Sequence, residues 1–164
     1  MTKLYIMRGI SGSGKSQYIE IARAMSSSPV TVISSDKIRE ELTGDMACQS
    51  RNGDVFELME ERLKNAILNG DEVVYVDATH LTKRSFTYIQ RVIDEYEIDP
   101  DDVVIKQHHI SVDSAIANVF CRQALGGLFV PEYVIKQQYK NFIAQQPYFD
   151  SLPYHIENTY NMKW

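Results

Sequence analysis

Residues 9–16 read Gly-Ile-Ser-Gly-Ser-Gly-Lys-Ser, and few octapeptides restrict a fold so tightly. Gly9, Gly14, Lys15 and Ser16 fit the spacing G-x-x-x-x-G-K-[ST] of the phosphate-binding loop. That loop works between a strand and a helix, and the flanks agree. Lys3 to Met7 is a short apolar run of strand type, and residues 15–25 place Tyr18, Ile19 and Ala22 at helical spacing. Gly9, Gly12 and Gly14, with Ser13 among them, let the backbone curl so that N–H groups point inward at an anion. A helix starting near Lys15 adds its positive end. The Lys15 ammonium has the reach for the outer phosphates of ATP or another nucleoside triphosphate, and the Ser16 hydroxyl suits Mg²⁺.

The rest of the chain alternates strand and helix patterns. Val30 to Ile33 predicts a second strand, followed by a helix of about two turns from Asp36. Thr43 to Gly53 has no periodicity and reads as a loop. Asp54 and Glu57 have the spacing of a capping box, ahead of a helix that carries Val55, Leu58, Met59, Leu63, Ala66 and Ile67 on one stripe. Glu72 to Val76 predicts a third strand closed by Asp77, and Thr82 can cap the helix after it. Val103 to Ile110 predicts a fourth strand, with a helix from Ser111 or Asp113 to about Gln123. Gly126-Gly127 interrupts the pattern, and Pro131 suits the first position of a further helix. Pro147 and Pro153 bound a short link, and Tyr154 to Ile156 predicts a fifth strand. This order implies one α/β domain over 1–164: a mostly parallel sheet of four to five strands with helices on both faces.

In such sheets ligands bind beyond the carboxyl ends of the strands. The phosphate loop, Asp36 and Asp77 follow strands one, two and three, so three distinct groups converge on one edge. Asp77 is placed to orient a Mg²⁺ shell, directly or through Ser16; a strand-end helix cap is its other reading. Asp36 and Arg39, three apart at a helix start, share one side of the first turn. Asp36 could take a proton from an attacking hydroxyl, and the Arg39 fork could pin a phosphate on the acceptor. The spacing fits an N-cap aspartate with a surface ion pair equally well. Arg122, just before the glycine pair, could close over transferring phosphates, or simply sit well at a helix end. Arg84 could reach the acceptor cleft or be solvated. His80 is close enough to Asp77 to line the site, and His108 and His109 point to opposite faces of a strand.

Charge and composition narrow the class. The formal net charge of −5 argues against broad, non-specific grip on nucleic acid, while leaving room for a site that touches one or two phosphates. Cys48 and Cys121 are far apart without metal-ligand spacing, as expected of free thiols in a reducing cytoplasm. No apolar run approaches membrane-spanning length, so a membrane partner is not expected. Nothing in the pattern sets an oligomeric state.

Taken together, GISGSGKS, SSDKIR, VDATHLTKRS and FCRQ…VPEYVI resemble the polynucleotide 5′-hydroxyl kinase family, including the phage enzymes and the kinase module of bacterial polynucleotide kinase-phosphatases. The resemblance runs from Lys3 to about Phe142. It implies a P-loop kinase fold with a helical lid at about 121–131, and transfer of the ATP γ-phosphate to the 5′-hydroxyl end of DNA or RNA. Lys15 and Ser16 would hold the donor phosphates and Mg²⁺. Asp36 would be the general base, Arg39 would clamp the phosphate on the 3′ side of the acceptor nucleotide, Asp77 would support the site and Arg122 would come from the lid. Two positions depart from the family: His80 stands where Asn is usual, and the lid has Arg122-Gln123-Ala124-Leu125-Gly126 in place of Arg-Asn-x-x-Arg. The same scaffold also serves kinases of small-molecule hydroxyls or nucleosides, and nucleotide-dependent switches without transfer chemistry.

Overall fold

A computed structural model describes residues 1–160; the last four residues of the expected 1–164 domain lie outside that range. Five strands form one parallel sheet: β1 (Lys3–Arg8), β2 (Val30–Ser34), β3 (Val73–Asp77), β4 (Val103–His109) and β5 (His155–Tyr160), in the order β2-β3-β1-β4-β5. Val73–Asp77 pairs with β2 on one side and with β1 on the other, which sets Ser34 directly beside Asp77. The carboxyl ends of β1, β2 and β3 therefore open on one edge.

Among the described residues seven α-helices accompany the sheet: α1 (Lys15–Met25), α2 (Ser35–Thr43), α3 (Asn52–Leu68), α4 (Lys83–Glu95), α5 (Val112–Ala124), α6 (Glu132–Ala144) and α7 (Gln146–Asp150). Strand alternation sorts the core. Leu4 and Ile6 of β1 join Met59, Leu63, Phe86, Ile89 and Phe149 on the face covered by α3, α4 and α7. Met7 points the other way, with Tyr75 and with Ile19 of α1. A separate apolar cluster, built on Ala115, Val119, Ile135 and Phe142, holds α5 and α6 together as a hairpin against Ile10 and Leu81. That hairpin stands over the phosphate loop. Among the described residues no helix is long and apolar enough to cross a membrane.

Local expectations need four corrections. Residues 43–53 are not all loop: α2 runs through Thr43 to a left-handed Gly44, and α3 begins at Asn52. The capping box at Asp54 and Glu57 does not form, because Asp54 already lies inside the helix and pairs with Arg51 Nε at 2.9 Å. The span between Pro147 and Pro153 is not a plain link, since α7 occupies its first part, with Pro147 in the first turn where a missing N–H costs nothing. Strand β5 runs on to Tyr160 because Thr159 and Tyr160 stay in register with His108 and His109. The expected lid at 121–131 comprises the last turn of α5 and the loop to α6.

Candidate active site

The phosphate loop leaves β1 at Arg8 and enters α1 at Lys15. Gly12 and Gly14 have φ of 80° and 92°, in the left-handed region where glycine is favoured. At Gly12 a Cβ would also come within 2.5 Å of the Ala115 carbonyl oxygen, so the loop packs directly on α5. Gly14 is the N-cap of α1, and it provides no side chain to occupy the first N–H groups of that helix. The first turn of α1 carries no acidic residue either. The open positive end is what an anionic ligand needs.

Lys15 is buried in this loop. Its ammonium donates to the Ile10 carbonyl at 2.9 Å and to Ser13 Oγ at 3.4 Å. Burial lowers its pKa to about 8, against the opposing pull of Asp77 and Asp36, while Arg122 nearby lowers it further. Ser16 Oγ donates to Asp77 Oδ2 at 2.9 Å. Asp77 is buried, and burial raises its pKa, against Lys15 and the Ser16 hydrogen bond. It caps no helix; Thr82 does that for α4, with Ser85 completing the capping box.

Across the cleft, Ser34 caps α2 by accepting from the Lys37 N–H. Asp36 is thereby spared the capping role that its position suggested. It lines the cleft with its side chain 47% exposed, and it accepts from Arg39 Nη1 at 2.9 Å. Arg39 is itself buried. Its Nε and Nη2 donate to Asn52 Oδ1 at 3.3 and 3.1 Å.

The α5–α6 hairpin forms the third wall. Arg122 Nε donates to the Leu128 carbonyl at 3.1 Å. A Cβ on Gly127 would stand 2.3 Å from Arg122 Cγ, so the glycine lets the turn fold flat against this arginine. Asn118 Nδ2 donates to the Gly12 carbonyl, and Gln138 Oε1 accepts from the Ser11 N–H, each at 2.9 Å. Both arms of the hairpin thus grip the phosphate loop.

One cleft of about 1400 Å³ is lined by Lys15, Ser16, Asp77, Asp36, Arg39 and Arg122. Gly12 and Gly14 line it as well; Gly9 and Ser13 shape the loop from behind. Its size exceeds the roughly 300–1,000 Å³ of a pocket for one small molecule. The structure does not bring Arg84 in: it is exposed on the first turn of α4 and outside the cleft lining. Nor does His80 line the site. It is fully buried, with Nδ1 donating to the Met7 carbonyl at 2.6 Å and Nε2 accepting from the Tyr88 hydroxyl at 2.6 Å. Asn52, Asn118 and Gln138 escape the sequence reading. Each makes its hydrogen bond to a residue 13 to 127 positions away, a relation that no local spacing encodes.

The donor set suits a hard cation. Ser16 and Asp77 offer oxygen alone, and no group of three or more His, Cys, Asp or Glu among the described residues could hold a metal by itself. Mg²⁺ bound jointly by one or two protein oxygens, water and phosphate fits such a site.

The family described as AAA domain matches residues 4–142. No curated protein matches the sequence significantly. A chain from the structure of the Pnkp1/Rnl/Hen1 RNA repair complex has the same fold, with TM-score 0.77 and 20% identity over 91% of this chain and 46% of that one. A second structure of the Pnkp1/Rnl/Hen1 complex matches at TM-score 0.58 and 21% identity, over 71% and 38%. A gluconokinase from Sinorhizobium meliloti 1021 matches at TM-score 0.58 and 17% identity, over 94% and 81%. The chain therefore spans less than half the length of the repair-complex chains that it resembles.

Proposed function

Because the chain belongs to the AAA domain family, we propose that its cleft is the site of a nucleoside-triphosphate-dependent phosphotransferase, and that its acceptor is the 5′-hydroxyl end of DNA or RNA. The observation that carries this reading is the shared cleft. Asp36 and Arg39 line it opposite the loop that presents Gly14, Lys15 and Ser16. A nucleotide switch needs the loop but has no use for a carboxylate–arginine pair facing it.

Each residue then has a task. The backbone N–H groups at the start of α1 and the Lys15 ammonium hold the donor phosphates. Ser16 and Asp77 would hold Mg²⁺, which when bound neutralises phosphate charge. Asp36 accepts the proton of the acceptor hydroxyl as its oxygen bonds to the γ-phosphorus. The bond from that phosphorus to the β–γ bridging oxygen breaks, and the nucleoside diphosphate leaves. Arg39 fixes an anionic group of the acceptor, and Arg122 from the lid adds positive charge over the transferring phosphoryl group. Alignment and charge neutralisation are the main requirements of this chemistry.

A small-molecule hydroxyl is the second reading. The gluconokinase match covers more of both chains than the repair-complex matches do, and the net charge of −5 suits a compact acceptor better than a long nucleic-acid groove. Transfer of labelled γ-phosphate from ATP to 5′-hydroxyl DNA, 5′-hydroxyl RNA, nucleosides and sugar acids separates the two. Product on the oligonucleotides, lost in Lys15→Ala and in Asp36→Ala, is the expected result. Product on a nucleoside or sugar acid alone overturns the polynucleotide reading.

A further inference from the structure

We propose that Asn52 is a positioning residue that aims Arg39 at an anionic acceptor without adding a second negative charge beside it; this rests on the phosphotransferase reading above. Asn52 is the first residue of α3, at the cleft wall. Its amide cannot be turned over. Arg39 Nε and Nη2 only donate, so Oδ1 faces them, and Nδ2 donates to Gln49 Oε1 at 2.7 Å.

A guanidinium has five N–H groups. Asn52 takes one on Nε and one on Nη2, and Asp36 takes one on Nη1. Among the described residues that leaves one N–H on each terminal nitrogen. Each can donate to an oxygen of a phosphate or carboxylate, the anions that arginine binds through several N–H groups at once.

The choice of an amide matters as much as its place. A carboxylate at position 52 would hold the same fork more tightly. Asp36 already contributes one negative charge, so Asp36, Arg39 and a neutral Asn52 sum to zero; with aspartate at 52 the cluster would be negative and would repel an anion. Asparagine gives the orientation without the second charge.

Asn52→Asp tests this directly, because it keeps the oxygen that Arg39 binds and changes the charge. The probe is a nucleoside 3′-monophosphate, with its binding to the full chain measured by calorimetry and ADP as the donor-side control. The expected result is about tenfold weaker binding of the 3′-monophosphate, repelled by the added negative charge, with ADP affinity unchanged and the melting temperature equal or higher. A melting temperature that does not fall excludes unfolding as the cause. Asn52→Ala is expected to weaken the same probe without gaining stability. Equal binding by wild type and Asn52→Asp, or no binding by wild type, overturns the assignment. Binding that responds to Asn52→Asp without phosphoryl transfer to any acceptor keeps the anion site and removes the kinase reading instead.

Discussion

Ser16 Oγ and Asp77 Oδ2, from residues 61 apart in sequence, lie 2.9 Å from each other at the mouths of two adjacent strands. The contact joins the phosphate loop to the neighbouring strand: Ser16 lies in the first turn of α1, and Asp77 closes β3, the strand that pairs with β1. Asp77 is also the largest favourable charge acting on the buried Lys15. Its carboxylate thus serves the hydroxyl and the ammonium at once.

Asp77→Asn keeps an oxygen for the Ser16 hydroxyl and removes the charge. The expected outcome is transfer slowed ten- to hundredfold, the range seen when a residue that orients a metal site is replaced. Part of the loss should be recovered at high Mg²⁺. A titration of Mg²⁺ at saturating nucleotide reads both effects, and a rate equal to wild type at low Mg²⁺ would remove Asp77 from the site.

Lys15 gives the nucleotide-binding step a pH signature. With its pKa lowered to about 8 by burial, the free protein carries a largely neutral Lys15 at pH 9. Bound phosphates favour the charged form and raise that pKa. Lys15 should therefore contribute an uptake of close to one proton on nucleotide binding at pH 9 and almost none at pH 6.5. Calorimetry in two buffers of different ionisation enthalpy measures the uptake, and equal values at both pH values would contradict it.

Two buried histidines make the fold acid-sensitive. His80 and His108 are 1% and 3% exposed, and burial lowers both pKa values to about 4. Each is neutral in the fold and protonates near 6.5 when unfolded. Their stabilising contribution is complete above pH 6.5 and declines as pH falls toward 4, by about 1.4 kcal/mol per pH unit for each group. Denaturant unfolding at pH 7 and pH 5 checks this. His108→Gln should flatten the dependence by about half, since Nε2 of His108 has no partner to lose.

Legibility in the sequence followed locality. The loop at 9–16, Asp77 at a strand end and Asp36 with Arg39 three apart are local patterns, and the chain's alternating periods placed them on one edge. Even the capping reading of Asp36 turned on a neighbour, Ser34, two residues away, which takes the cap. The far wall of the cleft is less legible, because Asn52 lies in a helix that a capping box at Asp54 would start three residues late. The burial of His80 escapes local pattern for the same kind of reason. Its partners are Met7 and Tyr88, and only the folded sheet brings them to a residue held at φ 43°.

Arg8, which no local pattern singled out, is the boldest case and yields the largest expected change in stability. It is fully buried immediately before the phosphate loop. Its guanidinium donates to Gln107 Oε1, Gln146 Oε1 and the carbonyls of Leu81 and Phe142, at 2.8 to 3.1 Å. The rings of Phe142 and Phe149 stand 4.3 and 4.0 Å from its central carbon. One cation thus ties the end of β1 to β4, α6 and α7. Burial lowers its pKa to about 10, against the attraction of Asp150, so it stays charged at neutral pH. Arg8→Ala would leave two carbonyls and two amides without their donor, beside an empty slot between the rings. The expected cost is about 3–5 kcal/mol, a fall in melting temperature of roughly 6–20 °C for a chain of this size. Arg8→Met refills the slot but supplies no N–H, and should recover part of the loss through packing alone. If both variants unfold at the wild-type denaturant midpoint, the buried cation is not a tie, and some other contact must hold the end of β1 against α6 and α7.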